Sequence, residues 1–324
     1  MSRLKNPERW RPAGYDPALL FWLRDALEGG DLRSPGDVRP APDARRECLV
    51  LVHGYNNHAG EAATAYFGFR AQQYLLHPDL RPGALERRFA DSFWPGDADW
   101  PGPLDWLDAL FYPFAVRVAR DGAPILADTI RRMPNLERVD FVGHSLGCRL
   151  ILETAVELLA AGSPAIARIC LMAAAVPSNM VEPGGRFDDL LTRLAAANVK
   201  IHVMHSNKDP VLKFTFPPGQ ALAGEPSLRA LGLTGPPADM IGRGGMVSDA
   251  RIAGAKHGHY WGHQESDARE QAVREAGTFL RIGETVRSMS PRTTSELRGV
   301  TSSFSVVMRV LLRRASLWSR EPPR

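Results

Sequence analysis

A serine acts as a nucleophile only if the chain lifts its hydroxyl clear of the backbone and a base takes its proton. The stretch Val139-Asp140-Phe141-Val142-Gly143-His144-Ser145-Leu146-Gly147 has the pattern for the first requirement. A short apolar strand runs into Gly-x-Ser-x-Gly and then into a helical pattern over residues 148–161. A serine at the apex of so tight a turn takes a strained backbone conformation, and side chains at the flanking glycine positions would collide with strand or helix. The helix N-terminus that follows offers unpaired amides and a dipole suited to developing negative charge. The bland alternative is a glycine-rich strand-to-helix turn with an incidental serine, so the reading depends on partners elsewhere in the chain.

The base should be a histidine, whose unperturbed pKa is about 6.5, and a carboxylate must fix its tautomer and steady the imidazolium. In strand–turn–helix folds of this type the three residues follow in the order serine, aspartate, histidine. Asp209, in Ser206-Asn207-Lys208-Asp209-Pro210, follows an apolar strand at 199–205 and is the expected acid. An aspartate before proline is also a common turn starter. Asp188 and Asp189 are rivals, but they open a helix, where acids complement the dipole. The loop Lys256-His257-Gly258-His259-Tyr260-Trp261-Gly262-His263 supplies three candidate bases. His259 is the expected base, His257 the next and His263 the last. His144, inside the elbow, would point away from the reacting atom, and His202 and His205 read as strand residues.

A tetrahedral oxyanion needs at least two preorganised N–H donors. The residue after the nucleophile, Leu146, supplies the first, and the loop after the first core strand should supply the second. His53-Gly54-Tyr55 ends that strand, so the Tyr55 amide is the candidate. The cluster at His257, His259 and His263 has no carboxylate or cysteine at metal spacing, so no zinc site is expected.

These groups need a scaffold. Cys48-Leu49-Val50-Leu51-Val52 is a continuous apolar run, as a strand buried on both faces requires. Further strands are expected at 89–94, 139–144, 166–176 and 199–205. Helices are expected at 17–28, 60–76, 114–133 (broken in two near Gly122 and Pro124), 148–161, 188–197 and 264–281. Residues 31–47 and 214–246, dense in proline, read as loops. Residues 97–112 carry Trp100, Trp106, Phe111 and Tyr112 and read as a loop or small helix near the site mouth. Strands alternating with helices imply a mostly parallel sheet covered on both faces.

The 324 residues suffice for one α/β domain with extensions. We divide them into an N-terminal extension at 1–46, a core domain at 47–283 and a basic tail at 284–324. The net charge of +4 is uneven: residues 287–324 hold eight arginines and two glutamates, leaving about −2 for the remainder. The body is therefore not expected to bind nucleic acid. Cys48, Cys148 and Cys170 lie in apolar segments and read as buried free thiols. The N-terminus lacks the apolar core of a secretion signal, and a cytoplasmic location is expected.

Taken together, the residues resemble the α/β-hydrolase superfamily. More narrowly, His53-Gly54-Tyr55-Asn56, Phe93-Trp94-Pro95, Gly143-His144-Ser145-Leu146-Gly147, Ser206-x-x-Asp209 and Gly258-His259-Tyr260 look like a bacterial α/β-hydrolase group catalogued as a domain of unknown function. The likeness spans about residues 46–283. It implies a doubly wound, mostly parallel sheet with helices on both faces. It also implies Ser145 as nucleophile, Asp209 as acid, His259 as base, Tyr55 and Leu146 as oxyanion donors, and no cofactor. The expected function is a serine hydrolase cleaving a small-molecule carboxylic ester or thioester through an acyl-enzyme. An amidase or peptidase would use the same residues, and a non-catalytic binding protein on the same fold is the alternative from another class.

In the tail, Phe304, Val307, Met308, Leu311, Leu312, Ala315 and Trp318 share one helical face, with Arg309, Arg313, Arg314 and Arg320 mostly off it. Residues 300–318 would pack on the body or associate with a second copy. A peripheral membrane role is the alternative.

Overall fold

The structure is a computed structural model that describes residues 17, 19–26, 30–34, 45–96, 108–162, 164–227, 229–242 and 246–284. The tail helix expected at 300–318, the aromatics Trp100 and Trp106, and most of the 31–47 loop lie outside the described residues.

Seven parallel strands form one sheet: β1 (Leu20–Trp22), β2 (Glu47–Val52), β3 (Phe89–Phe93), β4 (Arg138–His144), β5 (Ala165–Met172), β6 (Lys200–His205) and β7 (Val247–Arg251). Their spatial order is β1-β3-β2-β4-β5-β6-β7. The chain leaves β2 toward β3 on one side, then returns past β2 to β4 and continues outward on the other. That reversal makes a crevice at the carboxyl ends of β2 and β4, where open α/β sheets hold their sites.

Right-handed crossovers fix the faces. Helix α1 (Ala59–Leu76), followed by the short α2 (Ala84–Arg88), leads from β2 to β3 and takes one face. Helices α3 (Asp108–Arg131), α4 (Gly147–Ala161) and α5 (Asp188–Ala196) run the opposite way and take the other. Packing follows the same division. The last helix, α9 (Asp267–Phe279), lies on α1, while α3 packs on α4 and on α6 (Phe216–Leu222). The central strands are apolar because both sheet faces are covered: Leu49, Val50, Leu51 and Val52 are fully buried.

Three expectations are corrected and one strand is added. Residues 17–28 do not form a helix; Leu20–Trp22 is an edge strand paired with β3. Its leucines fit a helical face, but the alternation Leu19, Phe21, Leu23 is what becomes buried, and a period of two belongs to a strand. This part of the expected extension therefore belongs to the sheet. Helix α3 is continuous although Pro113 and Pro124 lie inside it. An interior proline costs roughly 3 kcal/mol. Burial of Val116, Val118, Ile125, Leu126 and Ile130, at about 2 kcal/mol for each side chain, outweighs the two prolines together. The 214–246 stretch holds α6 and two one-turn helices, α7 (Leu231–Thr234) and α8 (Ala238–Ile241). Finally, β7 had no sequence signal, because as an edge strand it buries Val247 and leaves Ser248 and Asp249 exposed.

The three cysteines are buried free thiols, and burial pushes the Cys148 and Cys170 thiols up. No described helix is long and apolar enough to cross a membrane.

Candidate active site

Strand β4 delivers Ser145 to the crevice in a left-handed conformation, φ 53°. Such a backbone is costly for a non-glycine residue and persists only where its surroundings hold it. Here the Ser145 amide donates to Met172 O at 3.0 Å, and its carbonyl accepts from Cys148 and Ala175 amides at 3.1 Å. Close packing below explains two glycines. A Cβ at Gly147 would overlap the His53 carbonyl oxygen, and a Cβ at Gly54 would sit 2.8 Å from the Ser145 Cβ. The loop after β2 therefore lies directly against the serine.

The serine hydroxyl donates to His257 Nε2 at 2.8 Å. His257 Nδ1–H donates to Asp209 Oδ2 at 2.7 Å. The other Asp209 oxygen, Oδ1, accepts from the Leu212 amide at 3.0 Å. Asp209 is fully buried just beyond β6, where a π-helical turn (Val211–Thr215) begins. Ser145 itself is only 4% exposed, so the row is recessed.

The base expected from sequence, His259, is corrected: His257 occupies the position between serine and aspartate. The four residues His257–Tyr260 form a 3-10 turn. At three residues per turn, side chains two apart face different ways. His259 is turned back, and its Nδ1 accepts from the Lys256 amide at 3.3 Å. Burial, with Lys256 beside it, holds His259 below the ordinary histidine range. His263 is packed against Gly68, and burial lowers it to about 4. The three loop histidines thus have separate surroundings. Among the described residues no three histidine, cysteine, aspartate or glutamate side chains gather as metal ligands do. Asp188 and Asp189 open α5, where Asp188 accepts from the Gly184 amide at 2.8 Å and Asp189 faces Arg193.

From its sequence context His53 reads only as part of a turn. In the structure it is a clamp. Its Nδ1–H donates to Gly54 O at 2.9 Å, and its Nε2 accepts from the Trp94 amide at 3.2 Å. The Trp94 indole donates back to His53 O at 2.9 Å, and the His53 amide donates to the Tyr66 hydroxyl at 2.7 Å. Burial lowers His53 to about 3, so it stays neutral with its proton on Nδ1. With the Gly54 carbonyl held toward the imidazole, the N–H of Tyr55 across the same planar trans peptide points the opposite way. Leu146, fully buried, is the N-cap residue of α4, so no carbonyl one turn earlier in the helix takes its amide.

A second serine–histidine–carboxylate row stands at the sheet edge. His202 Nδ1 is 2.8 Å from Ser248 Oγ, and His202 Nε2 is 3.2 Å from Glu275 Oε1. The Ser248 hydroxyl also reaches Ile201 O at 3.4 Å. Burial lowers His202, with Glu275 opposing. Ser248 lies in β7, in register with His202 on β6.

The seven-stranded order, the sharp serine turn after β4 and the acid after β6 define the α/β-hydrolase fold. No protein-family model matches the chain. Comparison with curated proteins likewise gives no match. Solved structures give distant likenesses. The hyperthermophilic esterase of the archaeon Pyrobaculum calidifontis is 18% identical, with a TM-score of 0.40, over 78% of this chain and 77% of its own. Est1E from Butyrivibrio proteoclasticus, solved with ferulic acid bound, is 12% identical, with a TM-score of 0.38, over 78% and 93%. The carboxylesterase EstE1, from a metagenomic library, is 14% identical, with a TM-score of 0.36, over 75% and 83%.

Proposed function

We propose that the protein is a serine hydrolase that cleaves a carboxylic ester or thioester through an acyl-enzyme, with Ser145, His257 and Asp209 as its triad. The observation that carries this reading is the continuous row of short hydrogen bonds from Asp209 through His257 to a serine held at φ 53°. Ser145 Oγ attacks the acyl carbon while His257 Nε2 takes its proton, and Asp209 stabilises the imidazolium. The Tyr55 and Leu146 amides receive the oxyanion. The alcohol or thiol leaves with the proton from His257. Water, deprotonated by the same nitrogen, then attacks the acyl-enzyme; the bond to Ser145 Oγ breaks, His257 returns the proton to that oxygen, and the acid is released.

Turnover of p-nitrophenyl esters of graded acyl length, measured beside Ser145→Ala, tests the reading. The expected result is hydrolysis by the native protein and loss on the order of 10⁴–10⁶ in the variant. Equal turnover by both proteins would remove the serine from the mechanism.

A further inference from the structure

His144, the residue before the nucleophile, has no role in the triad chemistry, and from sequence it should merely face away. The structure puts its ring where three parts of the site meet. It is joined covalently to Ser145. Its Nε2 lies 2.7 Å from the backbone carbonyl oxygen of His257. Its Nδ1 lies against the loop after β2, where a Cβ on Gly54 would come within 3.0 Å.

The carbonyl oxygen can only accept, so His144 Nε2 carries the proton. The ring is 5% exposed, and burial, followed by the nearby His257, keeps its pKa well below the ordinary range. It is therefore neutral when His257 becomes an imidazolium only 4.7 Å away, centroid to centroid. A charged group there would oppose that step. The turn carrying His257 needs such a fixture, because a single 3-10 turn has poorer hydrogen-bond geometry than an α-helix.

We propose that His144 is a positioning residue: its Nε2–H tethers the His257 backbone to the nucleophile elbow and so sets the Ser145 Oγ to His257 Nε2 distance. One side chain then aligns base and nucleophile, which otherwise belong to segments 112 residues apart. The proposal rests on the serine-hydrolase reading for its kinetics but not for its geometry.

The test uses His144→Phe, which keeps a ring and removes the donor, and His144→Gln, whose amide nitrogen reaches the place of Nε2. Steady-state hydrolysis of p-nitrophenyl acetate and the rate of fluorophosphonate labelling are read for both. A misplacement near 1 Å costs about 10²-fold. His144→Phe should therefore lose about 10- to 100-fold in kcat and in labelling rate with KM little changed, and His144→Gln should recover most of it. Long-range ¹⁵N NMR of the His257 ring should show one fixed tautomer in the native protein and His144→Gln, and tautomer exchange in His144→Phe. Native-like rates in His144→Phe, equal losses in both variants, or a change in KM alone would each overturn the tether. If the native protein is not labelled at all, the serine-hydrolase reading fails instead, and the His257 tautomer still decides the tether.

Discussion

Among the described residues two rows of serine, histidine and carboxylate occur, alike in their serine–histidine distance but not in their carboxylate, which is hydrogen-bonded at 2.7 Å in one and stands 3.2 Å from the ring without a hydrogen bond in the other. Ser145 and Ser248 each stand 2.8 Å from a histidine nitrogen. Their backbones differ. Ser145 sits at φ 53° between a strand end and a helix N-terminus, at the crevice where the strand order reverses. Ser248 sits within an edge strand, its neighbours paired along the ladder. The nitrogens differ too. Ser145 faces Nε2 with the carboxylate on Nδ1, while Ser248 faces Nδ1, and its hydroxyl has a carbonyl within reach as an alternative acceptor. What separates the two rows is the backbone turn beneath the serine. The same residue types and serine–histidine distance occur on a sheet edge, where the serine lies within a strand and precedes no helix N-terminus.

The largest effects should break the symmetry between the rows. Ser145→Ala should lower esterase turnover by on the order of 10⁴–10⁶, whereas Ser248→Ala should leave it within about twofold, since away from the site such changes are small. His257→Ala should match Ser145→Ala, and Asp209→Asn should cost about 10⁴ by disturbing the imidazole tautomer. Under the same assay His259→Ala should retain most activity. Gly54→Ala probes the cradle: a Cβ 2.8 Å from that of Ser145 should displace the loop and cost about 10²–10³ in kcat, as loss of one oxyanion donor does.

A subtler contrast concerns pH and stability. His53, buried beneath the first row, is lowered from 6.5 to about 3. The unfolded chain therefore binds the extra proton first as pH falls. Stability from this group is complete above about pH 6.5 and is lost progressively toward pH 3, a matter of a few kcal/mol. His263, lowered to about 4, acts in the same direction. Urea midpoints measured from pH 7.5 to 4 should fall with acidification, and His53→Gln should flatten that fall while lowering stability at pH 7.5. The smallest effect belongs to the sheet edge. Ser248→Ala should change the unfolding free energy by no more than about 1 kcal/mol, because the hydroxyl of an exposed residue contributes little net.

Much of this arrangement was legible from local pattern. The elbow announces itself because its steric demands are written in adjacent residues. Asp209 could be found because parallel strands place their carboxyl ends on one rim. The base could be placed in its loop but not chosen within it, since His257 and His259 differ by rotation about a 3-10 axis that residue types do not encode. His53 and His144 were missed for a related reason. Their roles run through hydrogen bonds to backbone atoms of Gly54 and His257, which no side-chain motif reports. Strand β1 is hidden in the sequence because its leucines fit a helical face as well as the alternation that is buried, and β7 because it buries Val247 and little else.

In the proposed reaction Ser145, activated by His257, is the reacting group. Labelling with a fluorophosphonate probe and mapping the modified peptide tests it most directly. The expected result is an adduct on Ser145, absent in Ser145→Ala, slowed by on the order of 10³ or more in His257→Ala and nearly unchanged in His259→Ala. An adduct on Ser248, or labelling that survives His257→Ala and disappears in His259→Ala, would contradict it.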